Sequence, residues 1–411
     1  MTTNCKVRVA FLNTHPIQYF APLYAYLNAS EDLEVSAIYL SDYSIRGSHD
    51  AAFGQSVKWD IDLLAGYDAH FVKGFESRNE MRGFLSAIVP GLWHDLRRMK
   101  LDLLVVAGHT PAAMLVGIAG AKAAGAAVFM RCETHLGVKR SRLKTILRSP
   151  LLEIFYRSLD GFFAIGSANA AFYRAMGVNE KRIFNMPYVV DNARFMVASQ
   201  IDTAHRLELR GSLNVRDNRP IVLYAAKFER RKRPDDLLRA AALLKREGIR
   251  FRLVLIGSGE MEQELRVLAT ELELNNVDFV GFVNQSRIPK YYGASDVFVL
   301  PSENETWGLA INEAMCAGLP IVASEEIGCV PDLVHNGVNG GTFIARDVAG
   351  LANALRPILA EPDLRRRMGD ASRDIVSRWS FTECRDGLRT ALQSLGEVTM
   401  PTKVPKVVSQ S

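Results

Sequence analysis

Residues 301–320 read PSENETWGLAINEAMCAGLP, and the reading of this stretch decides the fold. An apolar run of strand type, Val297 to Leu300, leads into it. A polar loop, Pro301 to Thr306, follows. A helix is then expected to open near Trp307–Gly308 and to continue to Ala317, where Gly318 and Pro320 stop it. Strand, loop and helix start in that order make an anion site in α/β proteins. The first amides, on Gly308, Leu309 and Ala310, have no helical carbonyl to bond, and the positive end of the helix dipole lies behind them.

Two carboxylates frame this site. Glu305 lies in the loop, and Glu313 follows Leu309 by four positions, so it shares a helix face with the first amides. Carboxylates repel phosphate, so their natural partners are hydroxyls on groups flanking it. A nucleotide-diphosphate sugar has that layout: sugar hydroxyls, diphosphate, ribose hydroxyls. The plainer alternative is a capped helix with solvated glutamates. For Glu313 the apolar neighbours Ala310, Ile311, Ala314, Met315 and Ala317 argue against an exposed charge. For Glu305 the alternative stays open, because loop carboxylates are common.

The stretch resembles the signature of retaining, GT-B-fold glycosyltransferases of family 4, at Pro301, Ser302, Glu305, Gly308, Leu309, Glu313, Ala314, Met315, Gly318 and Pro320. It departs at Trp307, where phenylalanine is usual. The resemblance implies an α/β chain of GT-B architecture, with two doubly wound Rossmann-like domains facing a central cleft. It also implies sugar transfer from a nucleotide-diphosphate sugar to a glycan or lipid-linked glycan acceptor, with retention and without a metal or other cofactor. A nucleotide-sugar-binding protein without turnover, and a nucleotide-sugar epimerase of the same architecture, are the alternatives.

Outside that stretch, 411 residues suggest two or three domains at ~150 residues each. An apolar fraction of 48% and a charged fraction of 23% are ordinary globular values. Cys5, Cys132, Cys316, Cys329 and Cys384 form no CxxC pair, which favours reduced thiols and a cytoplasmic setting. Cys132 and His135 are too few for zinc, so no metal is expected there. No signal peptide is read at the start. The apolar window from Ala112 to Met130 is broken by Lys122 and glycines, which fits a buried helix and strand better than a membrane span.

The first half alternates strands and helices. Its expected strands are Val7–Leu12, Val35–Leu40, Leu101–Ala107, Ala127–Arg131 and Gly161–Ile165. Asn13 to Tyr19 ends the first of them, and His15, Gln18 and Tyr19 stand at the mouth of the expected cleft. They either contact acceptor or phosphate, or cap the loop as a His-Pro turn. The family's usual Gly-Gly turn is missing here. The irregular stretch Ser41 to Arg82, with Trp59, Tyr67, Phe71 and Phe75, is read as shaping the acceptor site. His109 follows a strand at its carboxyl end, where ligands gather in open α/β sheets. By the resemblance it contacts the donor sugar; a hydrogen-bonded structural role is the alternative. Arg131 and Glu133 either face the cleft or form a structural ion pair.

The formal charge of +5 sits in this half, with 22 Lys and Arg against 17 Asp and Glu through Phe195, and 28 of each thereafter. Residues 139–157 are basic and amphipathic, which suits an anionic membrane surface and a peripheral place on its inner face. A solvated helix face is equally compatible. Nucleic acid is not expected, since no recognition motif accompanies the charge.

The second α/β unit starts at Ile221–Ala225, after a polar connection over 196–216. Ala226 to Arg233 resembles the family's phosphate loop, with Lys227 where arginine is usual and Lys232 in the place of its lysine. Gly257 and Gly259 end the next strand in a turn that lets backbone approach a nucleotide. Phe282 follows Val277–Val280 at a common family position for the nucleobase. In the transfer that this implies, Glu305, His109 and Lys232 act on the reacting groups, while Lys227, the helix amides and Glu313 hold the donor. The domains expected are 1–195 and 215–380, with a helix over 381–396 crossing back to the first and a disordered tail over 397–411. Ser380 to Glu383 is a capping box opening that helix.

Overall fold

A computed structural model describes residues 6–50, 55–75, 83–137 and 152–399 of the chain. Two parallel sheets organise it. The first contains β1 (Val7–Asn13), β2 (Leu33–Tyr39), β5 (Asp68–Phe71), β6 (Leu103–Val106), β7 (Ala127–Met130), β8 (Gly161–Ala164) and β9 (Ile183–Asn185), in the order β5-β2-β1-β6-β7-β8-β9. A small antiparallel hairpin, β3 (Ser48–Asp50) and β4 (Gln55–Val57), stands apart. The second sheet contains β10 (Ile221–Ala225), β11 (Arg252–Ile256), β12 (Val277–Gly281), β13 (Val297–Leu300), β14 (Ile321–Ser324) and β15 (Gly340–Phe343), in the order β12-β11-β10-β13-β14-β15.

The central strands are short runs of branched apolar residues buried on both faces, as in VFVL of β13, because helices cover each sheet on both sides. Each sheet reverses its winding once, between β1 and β6 in the first and between β10 and β13 in the second. Ligands collect outside the carboxyl ends of strands at such reversals.

The expected strands are all present, with ends moved by a residue or two. Three edge strands lie where none was expected. β5 falls inside the stretch read as irregular; its four residues alternate exposed Asp68 and His70 with half-buried Ala69 and Phe71, a run too short to stand out. β9 and β15 are edges of three and four residues. The connection read as polar is two helices, Asn192–Ser199 and Thr203–Ser212. Each is capped by an aspartate, Asp191 and Asp202, accepting from a backbone amide. Arg210 anchors the second of them to the second domain through Asp296 at 2.7 Å, while it also bonds the Ala294 and Arg219 carbonyls.

The last helix, Phe381–Thr399, starts at the expected capping box, where the Ser380 amide donates to Glu383 Oε2 at 2.8 Å. It runs past the expected end at 396. It docks on the first domain: Arg389 makes two bonds to Asp32, at 2.8 and 2.7 Å, and Cys384 Sγ lies 3.2 Å from the Pro187 carbonyl. A Cβ at Gly387 would fall 1.6 Å from the Asn185 carbonyl, so helix and β9 touch backbone to backbone. The tail from residue 400 lies outside the described residues, as do Cys5 and residues 139–151 of the basic stretch. Cys132, Cys316, Cys329 and Cys384 are free thiols. Among the described residues no helix is long and apolar enough to cross a membrane.

Candidate active site

A cavity of about 370 Å³ lies between the two domains, at the carboxyl ends of β10 to β13. The helix after β13 spans Leu309–Cys316, and Gly308 is its N-cap, at φ 98°. Glycine is needed at Gly308 for that conformation, and a Cβ would also meet Ile327 at 2.8 Å. Gly308, Leu309 and Ala310 all line the cavity, so the donor end of the helix opens onto it. Opposite, the loop after β10 turns through a short 3-10 segment, Arg230–Lys232, and brings Lys227, Arg231 and Lys232 to the same wall.

Glu305 is buried at 8% exposure and is paired with both Lys232 and Arg231, the latter at 3.0 Å. Burial pushes its carboxyl up, but the two cations outweigh that and hold it below the ordinary carboxylate range. Glu313 is buried at 3% exposure, and among the described residues Arg194 acts on it through its charge while its hydrogen bonds come from neutral groups. Tyr19 donates to its Oε1 at 3.0 Å from the first domain, and Tyr292 donates to Oε2 at 2.7 Å. Burial raises its pKa, and the two phenols offset only part of that rise. The two glutamates therefore occupy one cavity with pKa values shifted in opposite directions.

Gly257 is also in the wall. Its φ is 147°, and a Cβ there would sit 2.0 Å from the Ala226 carbonyl. Gly259 does not line the cavity; it lets the turn pack against Phe228, whose carbonyl a Cβ would approach to 2.7 Å. Phe282 lines the cavity, as do Gln18, Tyr19 and Glu133 from the first domain. Glu133 accepts from Tyr188 at 2.6 Å and from Thr306 Oγ1 at 3.4 Å.

Besides Gly259, three expected site residues stand outside the wall. His15 is not in the cavity wall: it bonds Thr14 and Tyr43 at 2.8 and 3.0 Å, and burial pushes its imidazole down to about 4. Arg131 faces inward, bonding the Met186 and Pro187 carbonyls and lying 5.2 Å from the Phe20 and Tyr188 ring centres. It makes no ion pair with Glu133. His109 is half-buried, edge-on to Phe155 at 6.0 Å, and outside the cavity wall.

His135 and Asn312 brace the site from behind the wall without a prior sequence signal. His135 accepts from the Gly137 amide at Nδ1, which places its proton on Nε2, and Nε2 bonds the Glu305 carbonyl at 3.1 Å. It thus fixes the Glu305 loop from the opposite domain. Trp307 donates to Asn312 at 3.0 Å, and Asn312 donates to the Tyr188 carbonyl at 3.3 Å, a second bridge between the domains. Arg231 was legible only as one of four consecutive cations. Among the described residues, no group of three metal-binding side chains is present.

Residues 205–375 match the family described as Glycosyl transferases group 1. Residues of the chain are 33% identical, over 209 residues, to a D-inositol 3-phosphate glycosyltransferase of Saccharomonospora viridis, covering 48% of the chain and 47% of that protein. They are 27% identical over 306 residues to sulfoquinovosyl transferase SQD2 of Arabidopsis thaliana, covering 72% of the chain and 57% of that protein. The chain thus spans about half the length of such curated relatives. Among solved structures it is similar to Anabaena HepE in complex with UDP, with a TM-score of 0.72 at 18% identity, covering 95% of this chain and all of that one. It is also similar to a sucrose-phosphate synthase of Thermosynechococcus elongatus, with a TM-score of 0.73 at 19% identity, covering 96% and 100%. These likenesses establish the fold, two Rossmann-like domains in the GT-B arrangement.

Proposed function

We propose that the chain is a member of the glycosyl transferases group 1 family, whose model matches residues 205–375, and that it moves a sugar from a nucleotide-diphosphate donor to a glycan or lipid-linked glycan acceptor, with retention and without a metal. One observation carries the reading: a helix N-terminus, two lysines and an arginine converge on a single interdomain cavity whose wall also holds Glu305 and Glu313. The relative solved with UDP lends the nucleotide class.

The chemical problem is a departing diphosphate. Its growing charge is met by Lys232, Lys227 and the amides of Gly308 to Ala310, fixed in place before the reaction. When an anion arrives, Lys232 exchanges part of its bond to Glu305 for phosphate oxygen. Arg231 keeps Glu305 ionised meanwhile. Glu305 then orients the donor sugar and offsets positive charge at the anomeric carbon, and Glu313 takes ribose hydroxyls. Gln18 and Glu133 belong to the acceptor side. His109 reaches the sugar only if the loop after β6 moves inward.

The decisive experiment is release of nucleoside diphosphate from a panel of donors, with and without glycan acceptors and with chelator present. Release that requires an acceptor and persists in chelator supports the reading. Donor conversion without acceptor would make the chain an epimerase-type enzyme, and binding without release would leave it a binding protein. NMR of the new linkage assigns retention or inversion.

A further inference from the structure

The segment Lys58–Asp60 belongs to the first domain but fastens onto the second. Asn284 Nδ2 donates to the Lys58 carbonyl at 2.7 Å. The Ser286 amide donates to Asp60 Oδ1 at 3.1 Å, and the Ser286 hydroxyl donates to Asp60 Oδ2. Between these bonds the Trp59 indole meets the Phe282 ring, with centres 6.3 Å apart and planes inclined by 55°. Both rings line the interdomain cavity.

This aromatic corner adjoins the ribose bracket. Gln285 lies between the two strap residues Asn284 and Ser286, lines the same cavity, and interacts with the Glu313 carboxylate. Glu313 and the two rings line one cavity, so a ribose at Glu313 would carry its base on the same wall system. The remaining wall there is Ile256, Gly257 and Val283, apolar side chains and bare backbone suited to a flat ring.

We propose that Trp59 supplies the second wall of the nucleobase site, opposite Phe282. The inclination of the rings excludes a parallel sandwich. A base lying flat on one ring meets the other at the same tilt of 55°, so the two rings form a corner that offers one stacking face and one inclined face. The proposal rests on the nucleotide-sugar reading above, and it moves this part of the irregular stretch from the acceptor side to the donor side. It also ties base binding to domain closure, because Trp59 reaches the corner only while Asp60 and Lys58 hold Ser286 and Asn284.

Calorimetry of UDP, GDP and inorganic pyrophosphate on the full chain tests it. Trp59→Ala should weaken the better-bound nucleoside diphosphate about tenfold or more, as expected for losing a stacked base, and leave pyrophosphate unchanged. Trp59→Phe should keep most of the affinity, which separates lost stacking from a damaged fold. Asp60→Ala should weaken the nucleotide in the same sense. Equal losses for nucleotide and pyrophosphate overturn the proposal, as does unchanged nucleotide binding with a raised acceptor KM, which would make Trp59 an acceptor residue. Wild-type protein that binds pyrophosphate but neither nucleotide overturns the base site alone. Wild-type protein that binds none of the three overturns the donor reading with it.

Discussion

Replacing Glu313 by alanine isolates the ribose bracket. A hydrogen bond to a charged acceptor is worth about 1.5–3 kcal/mol net. A ribose diol offers two such bonds, but the carboxylate already holds Tyr19 at 3.0 Å and Tyr292 at 2.7 Å. Binding therefore gains the equivalent of about one bond, so Glu313→Ala should weaken a nucleoside diphosphate roughly ten- to a hundredfold. Calorimetry with the diphosphate and its 2′,3′-dideoxy analogue gives the sharper readout. Wild-type protein should prefer the diol, and the variant should bind both alike. Since the side chain is 3% exposed, alanine strands two phenols and lowers stability. Glu313→Gln keeps the volume and serves as the folded control. A variant that still prefers the diol, or that binds as tightly as wild type, refutes the ribose role.

Three other outcomes follow from named contacts. Lys232→Ala should lower kcat about a hundredfold, as expected for losing one donor to a developing anion, while nucleoside monophosphate affinity hardly changes; equal losses would remove its leaving-group role. Gly257→Ala forces a Cβ to 2.0 Å from the Ala226 carbonyl at φ 147°, at a cost of about 1–3 kcal/mol, so Tm should fall by roughly 2–10 °C; an unchanged Tm would contradict the close approach. Because the folded-state pKa of Glu305 is lowered, its ion pairs contribute stability that is present above the unfolded value of about 4.5 and lost as pH falls through the folded one. Glu305→Gln should flatten that acid limb in chemical denaturation series. Glu313 has the opposite sign, its contribution being present below about 4.5 and lost as pH rises through its raised value.

The second domain was legible because each of its loops writes its chemistry locally. An apolar strand, a polar or basic loop and a helix start are contiguous in sequence, so Gly308 and Glu313 could be placed from spacing, and Glu305 and Lys232 from the resemblance to the family's motifs. The first domain is different. His15, Arg131 and His109 sit at correct strand ends, yet spacing does not say which way a side chain turns. Tyr43 and Thr14 claim His15, and the Met186–Pro187 turn claims Arg131. The partners that complete the cavity come from far away in sequence. Tyr19 and Glu313 are 294 positions apart, and His135 and Glu305 are 170 apart. No local pattern encodes such pairs; they exist only once the domains face each other. The short edge strand β5 was hidden for a simpler reason, since a run of four residues is too short to stand out.

The direct measurement is a crystal structure of the full chain with a bound nucleoside diphosphate. The account predicts both phosphates within hydrogen-bonding distance of the amides at Gly308 to Ala310 and of Lys232, with ribose at Glu313. A diphosphate bound away from that helix start, with Glu305 and Glu313 untouched by the ligand, would contradict it.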